Sequence, residues 1–120
     1  METTKNFFPQ TSRLRSKSDF SNVFLKKRSH SGRFLRCYYR KNSLSVTRIG
    51  IVVGRKYGKA HERNKFKRIV REAFRLYDQQ NFPMDIVILP LKRNKSLQYE
   101  DLSKDIWQLL RKSYKRLGYH

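Results

Sequence analysis

The chain has 120 residues, enough for one domain with a modest core. It carries 29 Lys and Arg against 9 Asp and Glu, a formal net charge of +20, yet 13% of its residues are aromatic, which excludes a disordered basic tail. Its single cysteine, Cys37, excludes an internal disulfide and a cysteine-built zinc cluster.

A chain this basic repels itself, so the imbalance implies a compensating partner. Nucleic acid fits best, because neutralising phosphates releases condensed counterions and drives binding. A basic face could also rest on an anionic bilayer, but Lys and Arg here are spread along the whole chain. No apolar run approaches the ~20 residues that span a bilayer, and METTKNFFPQ lacks the apolar core of a secretory signal. A cytoplasmic protein is expected, with no obligate protein partner evident.

Residues 1–15 are polar and basic and are expected to stay mobile until bound, leaving 16–120 as a single domain. Ser16 or Ser18 can cap a short helix reaching about Lys27, with Phe20, Val23 and Phe24 at helical spacing. RSHSGR (28–33) reads as a turn, Phe34 to Arg40 as an aromatic-rich strand and Thr47 to Val53 as a β-branched strand. A basic loop, GRKYGKA (54–60), leads into a long helix from His61 to Arg75. Asp85 to Leu91 is nearly all apolar and predicts a central strand that Pro90 ends. From about Leu97 to Leu117 a last helix carries Tyr99, Leu102, Ile106, Leu110 and Tyr114 at the 3.6 period. The order α-β-β-α-β-α predicts an α+β domain, helices packed on one small central sheet.

The long helix holds the strongest functional signal. Six of the fifteen residues in HERNKFKRIVREAFR are Lys or Arg. At 100° per residue, Phe66, Ile69, Val70, Ala73, Phe74 and Tyr77 share an arc of about 140° that must face the core. Asn64, Lys67, Arg68, Arg71 and Arg75 occupy the opposite arc, with Lys65 and Glu72 flanking it and Arg63 at its border. Solvated helices usually alternate charge signs; like charges at i,i+4 cost a few tenths of a kcal/mol each. A sequence that accepts this repulsion is better explained by a phosphate-binding face, and the aromatic strand favours folded or single-stranded RNA over a DNA major groove.

Alternation on residues 34–39 puts Phe34, Arg36 and Tyr38 on one face and Leu35, Cys37 and Tyr39 on the other. The Arg and Tyr of the first set suggest that it faces RNA; Cys37 reads as buried filler. Phe20 and Phe24, an i,i+4 pair on a short helix, read first as core, with a platform for stacked bases as the alternative. Gly54, Gly58 and Lys59 fall one residue short of a P-loop and lack its Ser or Thr, which disfavours nucleotide hydrolysis and leaves phosphate contact by Arg55 and Lys56. The carboxylates show no arrangement with His suited to metal-assisted hydrolysis, so neither catalytic nor metal-ligating residues are expected.

RIGIVVGRKYGKAHERNKFKRIVREAFR (48–75) resembles the signature of the bacterial ribonuclease P protein subunit, and SDFSNVF (18–24), MDIVILP (84–90) and the terminal amphipathic helix match in order. The resemblance covers about residues 12–117. It implies an α-β sandwich with a left-handed β-α-β crossover. It also implies an accessory role: the catalytic RNA holds the Mg²⁺ that hydrolyses the 5′ leader from precursor tRNA, while the protein binds RNA and leader. Arg63, Asn64, Lys65, Lys67, Arg68 and Arg71 are then contacts to the catalytic RNA, although Lys65 stands where the family usually has a second Arg, losing bidentate geometry but not charge. Phe20 and Phe24 match aromatics flanking the leader cleft, and Arg36, Tyr38, Arg55 and Lys56 complete the expected leader-binding set. A small ribosomal protein and a stand-alone nuclease are the alternatives.

Overall fold

A computed structural model describes residues 13–77, 82–92 and 98–119. Helix α1 (Lys17–Leu25) leads to strands β1 (Ser29–Ser31), β2 (Leu35–Lys41) and β3 (Thr47–Ile51). A single 3-10 turn (Arg55–Tyr57), helix α2 (Ala60–Arg75), strand β4 (Met84–Pro90) and helix α3 (Tyr99–Arg116) follow. The sheet order is β1-β2-β4-β3; β4 lies centrally, antiparallel to β2 and parallel to β3. The apolar reading of 85–91 is thereby explained as far as Ile88, where the strand has neighbours on both edges and layers on both faces; Leu89 and Pro90 are half-buried and Leu91 is exposed beyond the strand.

The sheet separates two layers. Leu35, Cys37 and Tyr39 of β2, Ile49 of β3 and Ile86 and Ile88 of β4 face α2 and α3 in the main core. Phe66, Val70, Ala73 and Phe74 of α2 are buried there, as are Leu102, Ile106, Leu109 and Leu110 of α3. Trp107 Nε1 donates to the carbonyl of Ala73 at 2.9 Å and ties the two helices. On the other face, α1 buries Val23 against Val87 and Leu14, with Phe20, Phe24, Tyr38 and Leu89 packed around them.

Two parts of the chain differ from expectation. Segment 28–33 is not wholly a turn: Ser29, His30 and Ser31 pair with Tyr38, Cys37 and Arg36 as a fourth strand. It has no apolar alternation to announce it. Backbone pairing and the stacking of His30 on Tyr39 (centroids 5.1 Å apart) hold it instead. Nor is the segment before Ser16 detached throughout. Leu14 is buried and its N–H donates to the Ile49 carbonyl at 2.9 Å, so the domain begins by Arg13; residues 1–12 and the expected helix start at Leu97 lie outside the described residues.

Two interior carboxylates organise the frame. Asp105 of α3 accepts from the backbone N–H groups of Arg33, Phe34 and Leu35 at 2.8, 2.8 and 2.9 Å, gathering the β1–β2 turn onto the helix. Gly32 permits this approach: a Cβ there would lie 2.3 Å from Asp105 Oδ1. Asp85, fully buried in β4, takes a two-point contact from Arg48 (2.9 and 2.8 Å) and a bond from Asn42 (2.8 Å), with Arg40 at 3.4 Å. Arg48 also reaches Asp19 of α1 at 3.6 Å. Its guanidinium is held above the usual arginine range, first by the hydrogen bonds to Asp85.

Candidate RNA interface

Strand register arranges the α1 side of the sheet in three rows. The first is charged: Arg40, Asp85 and Arg48 lie side by side across β2, β4 and β3. The second is Tyr38, Val87 and Gly50, and α1 lies over it. Phe24 meets Tyr38 edge-on with centroids 4.9 Å apart. Phe20 sits against Gly50 so closely that a Cβ there would lie 2.4 Å from its ring. Glycine in this strand is therefore the seat of the Phe20 ring. Beyond α1 the third row, Arg36 beside Leu89 with Val52 following β3, is open: Arg36 and Val52 are exposed and Leu89 is half-buried. The Arg36 guanidinium lies over the Tyr38 ring at 5.4 Å.

This arrangement fits the core reading of the phenylalanines. Both rings are half-buried and committed to contacts that hold α1 on the sheet beside Tyr38 and Leu89. Arg55 and Lys56, both exposed, stand on the 3-10 turn that follows β3.

Helix α2 supplies the second surface. Its start is fixed by Glu62, whose carboxylate accepts from the backbone N–H of Lys59 at 2.8 Å, the returning half of a capping box. Gly58 makes room for it, since a Cβ there would meet Glu62 Oε1 at 2.3 Å. Asn64, Lys65 and Arg68 are exposed, and Lys67 and Arg71 are half-buried. Among the described residues none of these five has a carboxylate partner. Arg63 donates to the Gly58 carbonyl at 2.9 Å, so part of its guanidinium closes the helix entry. Arg75 pairs with Glu72.

Asn64, Arg68, Arg71 and Arg75 line a groove together with Glu72 and with Arg13 from the segment bridged to β3. Burial, then the charge of Arg13, pulls Arg71 below the usual arginine range. Such crowding of cations is costly, and within the groove Glu72 answers it at Arg75. Sequence periodicity locates the α2 face but not Arg13, which enters only through its long-range pairing with Ile49.

Cys37 is the buried filler expected of it: it is fully buried and its thiol is pushed up to about 11, chiefly by burial. Among the described residues no group of three His, Cys, Asp or Glu side chains could hold a metal ion. Nor is any described helix long and apolar enough to cross a membrane.

Known proteins match this frame. The family model for Ribonuclease P matches residues 8–114. The ribonuclease P protein component of Thermotoga maritima is 40% identical over 107 residues, covering 88% of this chain and 88% of that protein. That of Clostridioides difficile strain 630 is 34% identical over 108 residues, 88% of this chain and 95% of the relative. Among solved structures, the Staphylococcus aureus RNase P protein superposes with a TM-score of 0.76 at 26% identity, covering 85% of this chain and 94% of its own. The Thermotoga maritima RNase P protein gives 0.72 at 35% identity over 83% and 96%. With its helices, sheet and basic α2 face in place, the chain belongs to the ribonuclease P protein family.

Proposed function

We propose that α2 grips the catalytic RNA of ribonuclease P while the cleft beside α1 receives the 5′ leader of precursor tRNA. One observation carries this reading: Asn64, Lys65, Lys67, Arg68 and Arg71 share the outward side of α2 with no carboxylate partner among the described residues. Arg68 and Arg71 can fork onto phosphate oxygens, and Asn64 can donate or accept. Lys65 contributes a point charge, and Arg63 has donors left after its bond to Gly58.

In the cleft, Phe20, Phe24 and Tyr38 offer ring surface on which bases of any identity can stack, as a leader of variable sequence requires. Exposed Arg36, with Arg55 and Lys56 on the turn after β3, is assigned to the leader phosphates. Chemistry belongs to the RNA, whose Mg²⁺ supplies the hydrolytic nucleophile. The protein's cations hold leader and scaffold together and lower the repulsion that opposes metal binding. A cytoplasmic setting follows from this role in tRNA maturation.

The test is reconstitution: ribonuclease P RNA and precursor tRNA at low Mg²⁺, with and without the protein. Leader removal should accelerate strongly with protein present. Unchanged cleavage would favour a ribosomal-type RNA-binding role, and cleavage without the RNA would reveal a nuclease.

A further inference from the structure

The leader cleft and the α2 face leave one strongly charged surface unused. Along α3 the exposed positions from the second turn onward are Lys104, Gln108, Arg111, Lys112, Lys115 and Arg116. Not one is acidic. The carboxylates of α3 lie elsewhere: Glu100 and Asp101 in the first turn, Asp105 turned inward onto the β1–β2 turn.

Favourable interaction of cations with the helix C-terminus accounts for Lys115 and Arg116 in the last turn, but not for Lys104 or Arg111. The pairs Arg111–Lys115 and Lys112–Arg116 are like charges at i,i+4, which oppose the helix. Among the described residues none of these cations is paired with a carboxylate.

The β1 edge of the sheet extends this surface. Exposed Arg28 precedes β1, and its carbonyl accepts from the Tyr39 N–H at 3.1 Å. The positive charges of Lys112 and Arg116 both bear on His30, and those of Arg116 and Arg28 on Tyr39, the two stacked rings at this edge. Cations of α3 and of the segment before β1 thus bear on one ring pair at the β1 edge, whereas the α2 groove reaches the β3 edge through Arg13.

We propose that the outward face of α3, with Arg28, is a second phosphate-binding surface that holds another segment of the same RNA gripped by α2. Repelling cations without acidic relief fit a phosphodiester chain rather than a hydrophobic or basic partner. Once α2 is engaged, further segments of that RNA are present at high effective concentration, so they outcompete a separate molecule. The inference rests on the proposed function above, since the RNA meant is that of ribonuclease P.

The two ideas are separable in one experiment. Cys37 is fully buried, so a cysteine introduced at an exposed site is the reactive thiol. Full-length Gln108→Cys and Asn64→Cys proteins, each carrying a tethered iron–EDTA group, are assembled with ribonuclease P RNA and strand scission is mapped. Cuts from both positions, at different RNA segments, are expected. Cuts from Asn64→Cys alone overturn the α3 surface and leave the α2 reading standing; cuts from neither position overturn both. Cuts from Gln108→Cys that appear only on an added second RNA overturn the same-RNA assignment.

An independent measure uses the triple variant Arg111→Gln, Lys112→Gln, Arg116→Gln, all at exposed positions. Its slope of log affinity against log salt should be shallower by about two to three units. An unchanged slope overturns the proposal.

Discussion

Asp105 is the side chain on which the β1–β2 turn depends, and replacing it with alanine should be severe. Three backbone N–H groups would lose a charged acceptor held at 2.8 to 2.9 Å. Hydrogen bonds to a charged group contribute roughly 1.5–3 kcal/mol each. Arg33 is exposed and Phe34 half-buried, so water can reach part of the freed backbone, whereas the Leu35 amide is buried. A net loss of about 3–5 kcal/mol follows. Gly32→Ala tests the same contact from the other side: its Cβ would fall 2.3 Å from the carboxylate, an overpacking worth about 1–3 kcal/mol. With Asp105 already alanine that clash is gone, so Gly32→Ala should then be nearly neutral. Urea unfolding of the four proteins in a double-mutant cycle reads the coupling. A loss below about 1 kcal/mol for Asp105→Ala, or equal Gly32→Ala costs in both backgrounds, would refute this reasoning.

Phe20→Ala removes the ring seated on Gly50, and binding of precursor tRNA should weaken by about 1–3 kcal/mol while binding of mature tRNA is spared. Equal weakening of both in a filter-binding assay would remove Phe20 from the leader site. His30 is held below its ordinary value of 6.5 by burial first, then by Lys112 and Arg116. The folded protein therefore takes up this proton less readily than the unfolded chain, and stability is full above the unfolded value and falls as pH drops below it. His30→Phe should flatten that acid-side loss in unfolding curves recorded from pH 7 down; an unaltered slope would place the titration elsewhere.

The fold was legible wherever burial imposes a period. The α2 stripe of Phe66, Val70, Ala73 and Phe74, the α3 stripe of Leu102, Ile106 and Leu110, and the apolar β4 all lie where spacing predicts. What spacing could not show is what depends on backbone or on distant partners. Strand β1 has no apolar face, because its place is set by hydrogen bonds to β2 and by ring stacking. Asp85 and Asp105 look like ordinary polar residues until their partners, tens of residues away in the chain, converge on them. The helical face of the candidate site was readable from charge and period. Arg13, and the row made by Arg36, Leu89 and Val52, required sheet register.

The grip of α2 on RNA is tested most directly by the salt dependence of binding to ribonuclease P RNA for the wild type, Arg68→Ala and the Arg68→Ala, Arg71→Ala double variant. If these guanidiniums meet phosphates, the log–log slope should become shallower by about one unit for the first and about two for the second. Three superimposable slopes would contradict it.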